Sequence, residues 1–190
     1  MRDREAGAMQ KAIGMIEFKT ISAGITAADQ MVKAAEVEIL EAQMVCPGKY
    51  IALIAGELSA VKAAVERAKA TRPEELIGSF VLGNPDASIF PAIYGIGHVD
   101  AVKALGILET YDAASIIVAA DIAAKTAIVD LIELRIAKGM CGKSYLLLTG
   151  EVAACEAAIA KAKASVGEKG MFLDSSVIAH PDTQIGRTII

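Results

Sequence analysis

The stretch AIGMIE at residues 12–17 decides the fold, because it returns as ALGILE at residues 104–109, 92 positions later. The same offset relates Ala28-Asp29 to Ala120-Asp121. Further along, the matches drift to offsets of 94 and 96, which two short insertions explain; they pair Gly56-Glu57 with Gly150-Glu151, and Ser79, Val81 and Pro85 with Ser175, Val177 and Pro181. The chain is therefore a tandem duplication with its boundary near residues 96–100.

Both halves predict the same order of elements. The apolar run 12–18 contains a glycine, which is typical of a buried strand that a neighbouring element approaches closely. Residues 20–36 have apolar side chains at helical spacing, with Thr20 or Ser22 available as the N-cap. The other predicted elements are strands 37–45, 50–55 and 76–82 and helix 57–70, followed in the second half by strands 104–108, 131–138, 145–149 and 171–178 and helices 113–126 and 152–165.

The resulting order β-α-β-β-α-β is the ferredoxin-like arrangement. The fold class is thus α/β in its α+β form, with two ferredoxin-like halves that together form a pseudo-dimer. In each half a turn-rich loop joins the second strand to the third and makes a hairpin: Cys46-Pro47-Gly48-Lys49 in the first half and residues 139–143 in the second.

The composition excludes several classes of protein. The chain has 190 residues, 54% of them hydrophobic, a net charge of -4 and a mean hydropathy of +0.47, yet charges interrupt every stretch long enough to span a bilayer. A pI near 5.3 and 4% aromatic residues argue against nucleic acid as a partner. Residues 1–5 carry mixed charge and no apolar run follows them before a cleavage site, which argues against export. So apolar a chain is expected to form an obligate oligomer.

Motifs for catalysis are weak. Cys141-Gly142-Lys143-Ser144 ends like a P-loop, but the upstream glycine is missing and a strand follows. Gly95-Ile96-Gly97 begins like a dinucleotide fingerprint without its last glycine. His98 and His180 have no partners for a triad or a zinc site, and Glu17 and Glu109 lie in different repeats. We therefore expect no enzyme.

The cysteines are the most informative residues. Cys155 lies among alanines at helical spacing and is predicted to fill the core. Cys46 and Cys141 lie in the two hairpin loops, where packing does not explain them, and neighbouring lysines favour the thiolate. One chain cannot supply the usual four thiolates of an iron–sulfur cluster from a single loop, but an oligomer can supply them from several copies.

Both halves resemble bacterial microcompartment shell domains, and the resemblance covers about residues 10–182. It rests on residues 12–17, 28–35 and 56–58, with their second-half copies. It implies domains at 10–95 and 100–182, preceded by a disordered extension at 1–9. Among tandem, trimeric shell proteins, the loop 46–49 and the stretch Gly167-Glu168-Lys169-Gly170 make the chain similar to the PduT-like group.

The resemblance implies a homotrimer that forms a flat pseudohexagonal disc, with the hairpin loops around a central pore. Discs tile with other shell proteins through edge lysines, here Lys33 and Lys125. The shell lies in the bacterial cytoplasm and encloses enzymes, which are possible partners together with redox proteins, while no nucleic acid or membrane is involved. The residues implied to line the pore are Pro47, Gly48, Lys49, Met140, Cys141, Gly142 and Lys143.

In PduT-like members the first-half loop cysteine, here Cys46, contributes one thiolate per subunit to a 4Fe-4S cluster on the threefold axis. The cluster would pass electrons across the shell, and the ring of Lys49 and Lys143 would partly offset the thiolate charges. Cys141 is either an auxiliary ligand or a pore-lining thiol. Two alternatives stay open: a metabolite pore without a cluster, or a small α/β enzyme or effector-binding protein.

Overall fold

The computed structural model describes residues 12–96, 99 and 101–189. These form two compact units, one made of residues up to 44 and 48–85, the other of 45–47 and from 86 onward. The predicted extension 1–9 and His98 lie outside the described residues. The domain limits 10–95 and 100–182 stay predictions.

The first unit contains, in order, β1 Ala12–Phe18, α1 Ile21–Ala34, β2 Glu38–Val45, β3 Lys49–Gly56, α2 Leu58–Lys69, a 3₁₀ turn Pro73–Glu75 and β4 Leu76–Leu82.

The second unit repeats this order and adds a short helix at each end. It contains α3 Ile89–Ile93, β5 Ala104–Thr110, α4 Ala113–Thr126, β6 Val129–Arg135, β7 Ser144–Gly150, α5 Val152–Gly167, β8 Phe172–Ile178 and α6 Thr183–Gly186. The strand orders are β2-β3-β1-β4 and β6-β7-β5-β8. Strand β1 is antiparallel to its neighbours β3 and β4, and β5 is antiparallel to its neighbours β7 and β8; β1 and β5 are the central strands referred to below. This is the ferredoxin-like topology that the sequence predicts.

A glycine in each central strand sets how closely a helix packs on the sheet. A Cβ atom built on Gly14 would lie 2.6 Å from Val61 and 2.8 Å from Val65 of α2. One built on Gly106 would lie 2.5 Å from Leu148 and 3.0 Å from Ile159 of α5. The prediction of a close approach at these glycines is confirmed, and an alanine at either position would overpack the core.

Helices α1 and α4 begin at short polar side chains that cap them. The Thr20 hydroxyl accepts from the amide of Ala23 at 3.4 Å, and the Asp112 carboxylate accepts from the amide of Ser115 at the same distance. Thr20, rather than Ser22, is therefore the N-cap of α1. The helix ends at Ala34, two residues before the predicted end, because Ala35 is already extended at φ −156°.

The two sheets differ on the face that points away from their own helices. In the first unit that face carries Ile13 and Met15 of β1 and Leu53 of β3, all fully buried. In the second unit Leu105, the counterpart of Ile13, is also buried, but Ile107 and Leu147, the counterparts of Met15 and Leu53, are half-buried. Strand alternation places these side chains opposite those that pack on the helices. The second sheet therefore presents a partly open face.

The predicted strand 131–138 is wrong at both ends, since β6 spans Val129–Arg135. Ala137 has φ +51°, which no strand residue adopts, and its amide donates to the hydroxyl of Ser144 at 2.9 Å instead of to a strand. The hairpin loop of the second half is therefore 136–143, longer than the predicted 139–143. Helices α3 and α6 are not predicted from the sequence, because their five and four residues are too few for a periodic pattern.

Candidate functional site: the hairpin loops and helix-to-strand corners

The first hairpin loop is short. Strand β2 ends at the buried Val45, a turn covers 46–48, and Lys49 begins β3. Gly48 has φ +96° and points into open space, so its backbone conformation favours glycine without a packing constraint. Cys46 is a free thiol that is partly exposed, and Pro47 beside it is exposed. This turn presents a thiol on a compact scaffold, as the sequence predicts.

Lys49 is held by a buried acid. Its ammonium donates to the carboxylate of Glu17, which is 2% exposed on β1. A buried carboxylate needs such a partner, because leaving it unpaired in the interior is costly. The positive charge of Lys49 is therefore already balanced within the chain. Sequence reasoning missed this pair, although both residues recur in the second half as Glu109 and Lys143.

The second hairpin loop is longer and more irregular. Left-handed backbone angles occur at Ala137, Gly139, Cys141 and Gly142, with φ between +51° and +89°. The amide of Lys143 donates to the carbonyl of Met140 at 3.1 Å and closes the loop before β7. Cys141 and Lys143 are exposed, Met140 is half-buried and Gly142 is buried. Strand β7 follows Lys143, whereas a P-loop requires a helix at this point, so the prediction that this is not a P-loop is confirmed.

A polar cluster braces the strands on either side of this loop. The Tyr145 hydroxyl donates to Oε2 of Glu133 at 2.6 Å, and Nη2 of Arg135 donates to Oε1 at the same distance. The hydrogen bond and charge of Glu133 raise the pKa of Arg135. The pKa of Tyr145 is raised mainly by burial and further by its hydrogen bond to Glu133. The spacing of Glu133 and Arg135 by two in a strand was a signal that could have placed them on one face.

The two helix-to-strand corners carry the predicted edge lysines. Lys33 pairs with Asp29 at 2.7 Å, and Lys125 pairs with Asp121 at 2.7 Å. Both pairs follow i,i+4 spacing on a helix. Asp29 is exposed, whereas Asp121 is buried and also accepts from the amide of Asp86 at 2.8 Å. The two corners therefore share a lysine but not its surroundings.

Other predicted positions have ordinary structural roles. Cys155 is fully buried in α5, where its thiol approaches the carbonyl of Ala104 at 3.8 Å and burial raises its pKa. The prediction that it fills the core is confirmed. His180 is exposed, and Glu109 is half-buried.

Among residues 12–96, 99 and 101–189 no three His, Cys, Asp or Glu side chains come together as a metal site. The same part of the chain contains no helix that is both long and apolar enough to cross a bilayer. A metal ligated by Cys46 would therefore need ligands from outside the described part of one chain.

Two ferredoxin-like units, each with a hairpin loop and a lysine at its helix-to-strand corner, define a tandem-domain protein. The BMC domain model matches residues 12–85 and 104–181. The chain therefore belongs to the BMC-domain family of bacterial microcompartment shell proteins.

Similar proteins agree with this assignment. The chain is 37% identical over 182 residues to the bacterial microcompartment shell protein PduT of Citrobacter freundii, covering 96% of this chain and 99% of the relative. A crystal structure of a microcompartment protein from Desulfitobacterium hafniense DCB superimposes with a TM-score of 0.88 at 44% identity, covering 93% of this chain and 98% of that one. The carboxysome shell protein CsoS1 of Prochlorococcus marinus is 38% identical over 86 residues, which is 43% of this chain and 82% of the relative.

Proposed function

We propose that the chain is a structural, non-enzymatic shell protein that assembles as a homotrimer and binds a 4Fe-4S cluster through Cys46 of its three subunits. The similarity to PduT extends over nearly the whole of both chains, which favours a tandem shell protein of that type over an enzyme or an effector-binding protein. Bound there, the cluster would supply one-electron transfer across the shell.

The observation that carries the cluster proposal is the state of Cys46. It is a free, partly exposed thiol on a turn between two strands, whereas the core cysteine Cys155 is fully buried. No three ligand side chains come together within the described part of one chain, and in this proposal the further ligands at Cys46 come from the other two subunits. Thiolates are the ligands that iron–sulfur clusters use most.

The donor set fits a cubane. In the proposed homotrimer, three copies of Cys46 would hold such a cluster through their thiolates. Lys49 is neutralised by Glu17, so the exposed Lys143 is the loop lysine better able to offset thiolate charge. Backbone amides of the glycine-containing turn can hydrogen-bond the sulfurs.

The homotrimer is supported by the partly open sheet face of the second unit. Ile107, Tyr145 and Leu147 are only half-buried there, while their first-half counterparts Met15, Ile51 and Leu53 are fully buried. Apolar side chains left half-exposed on a sheet are typical of an assembly surface. We place Pro47, Gly48, Met140, Cys141 and Gly142 at the pore with the lysines of the loops.

The corners at Lys33 and Lys125 are proposed as the edges that tile against other shell proteins. Both side chains lie on exposed surface at the end of a helix, where a neighbouring disc can reach them. Enclosed enzymes or redox proteins would then face the assembled disc.

Anaerobic reconstitution with iron and sulfide tests the cluster. We expect broad visible charge-transfer absorption and about four irons per trimer. If the reconstituted trimer stays colourless and holds no iron, the loops form a metabolite pore without a cluster and the cluster assignment fails.

A further inference from the structure

The segments that follow the two BMC domains are repeat counterparts. Pro85-Asp86 recurs as Pro181-Asp182 at an offset of 96, directly where the two domain matches end. The same side-chain hydrogen bond to the amide two residues on starts both segments: Oδ1 of Asp86 accepts from the amide of Ser88 at 2.9 Å, and Oδ1 of Asp182 accepts from the amide of Gln184 at 2.8 Å. We call residues 86–93 the first tail and residues 182–189 the second tail.

The first tail is docked within the second unit. Its helix α3 packs on α4 and β6, and Ile89 and Ala92 are fully buried. The amide of Asp86 donates to Oδ1 of Asp121 on α4 at 2.8 Å. A hydrogen bond to a charged acceptor and the burial of an isoleucine both stabilise this contact.

The second tail has the same fold at its start but is not docked in this way. Ile185, the counterpart of Ile89, is 50% exposed, and Asp182 is exposed as well. The isoleucine at this position of the repeat is therefore buried in the first tail and half exposed in the second.

The helix that would receive the second tail is α1, the repeat counterpart of α4. Asp29 corresponds to Asp121, and Ile25 corresponds to Ile117, which is fully buried on α4. On α1 the same positions are open: Ile25 is 53% exposed, and the hydrogen bonds that Asp29 accepts from Lys33 and Gln30 both go to its Oδ2. No described residue donates to Oδ1 of Asp29, the atom that accepts the tail in the second unit.

We propose that the second tail of one chain docks on α1 of a second copy, with the amide of Asp182 donating to Asp29 and Ile185 packing against Ile25. The inference rests on the proposed homo-oligomer and names the surface that holds it together. Each chain carries one tail whose isoleucine is exposed and one helix with an exposed isoleucine, so copies join head to tail. A ring of such contacts closes without leaving an open end.

Cross-linking tests the contact in full-length chains in which Cys46 and Cys141 are serine and only the buried Cys155 remains. Chains with Ile25→Cys and chains with Ile185→Cys are co-expressed, purified and mildly oxidised. We expect a disulfide-linked pair of chains on a non-reducing gel, and no such pair from either variant alone. The control pairs Ile185→Cys with Ile128→Cys, which puts a more exposed thiol on the second-half corner, at 96% against 53% for Ile25, so accessibility alone would favour the control.

Light scattering of the same samples separates the possible failures. A trimer that gives no more linked chains with Ile25→Cys than with the control overturns the docking inference and leaves the proposed function standing. A monomer at micromolar concentration overturns the homotrimer itself. In wild-type background, Ile185→Asp should raise the chain concentration at half-dissociation roughly tenfold or more.

Discussion

The first and second halves have the same strand order, yet they differ in what they bury. The first sheet has a buried outer face and a buried ion pair, Glu17 with Lys49, while the second has a half-open face and an exposed Lys143. The docked tail belongs to the first repeat, and the exposed tail belongs to the second. In the proposed homotrimer, the half that is more exposed within one chain would supply the contacts with other copies.

The largest expected difference lies between the two loop cysteines. Cys46→Ser should abolish iron binding after anaerobic reconstitution, because three symmetric ligands are lost at once. Cys141→Ser should retain at least most of the iron if Cys141 is a pore-lining thiol. Iron content and visible absorption of the two variants measure this. Equal loss in both would make Cys141 a ligand, and full retention in Cys46→Ser would remove Cys46 from the site.

The two tails should respond differently to truncation. Ile89→Ala should lower the free energy of unfolding by about 2–4 kcal/mol at any chain concentration, because it leaves a cavity in the second unit. Ile185→Ala should cost under about 0.5 kcal/mol in dilute chains and more where chains associate. Urea unfolding at two chain concentrations measures both. Concentration dependence in Ile89→Ala but not in Ile185→Ala would reverse the roles of the tails.

The two strand-end acids should also differ. Glu17→Gln leaves the ammonium of Lys49 without its carboxylate at a site where that side chain is only 19% exposed, which should cost about 2–3 kcal/mol. Glu109→Gln, at the half-buried counterpart, should change the free energy of unfolding by less than about 0.5 kcal/mol. Chemical denaturation of both variants at neutral pH is the measurement, and equal costs would show that the Glu17 pair contributes nothing special.

The smallest effect concerns Asp86, whose carboxylate accepts from the amide of Ser88 at the start of the docked tail. The Ser88 hydroxyl and amide, with a weaker contribution from Lys125, hold the pKa of Asp86 below its usual value. The folded pKa is thus lower than the unfolded one, so the carboxylate stabilises the fold above the unfolded pKa and loses that effect as pH falls through the folded pKa. Asp86→Asn should cost about 0.5–1 kcal/mol at pH 6. Unfolding at pH 6 and at pH 3 should show the gap closing; a gap that widens in acid would contradict this.

The repeat made most of the fold predictable. Strands 12–18 and 76–82 and helix 113–126 were predicted with the bounds that the structure has, because apolar periodicity and the duplicated pattern agree there. The end of β6 was not, since nothing in the sequence announces the left-handed Ala137. The loop position of Cys46 was predictable from the residues, whereas its cluster role and the pore and edge positions came from resemblance; the fold has all of them on loops and corners.

Contacts far apart in the chain were the hardest to predict. The pairing of Glu17 with Lys49 depends on β1 lying beside β3, and the hydrogen bond from Asp86 to Asp121 depends on where the first tail packs. Propensity and spacing describe neighbours along the chain, whereas these pairs are set by tertiary packing. The matching Pro-Asp pairs at 85–86 and 181–182 were the one signal that could have revealed the tails.

Native mass spectrometry under anaerobic conditions tests the central claim most directly. The account predicts one species with the mass of three chains plus four irons and four sulfides. A trimer without added mass would contradict the cluster, and a single chain as the main species would contradict the shell assembly from which the cluster site is built.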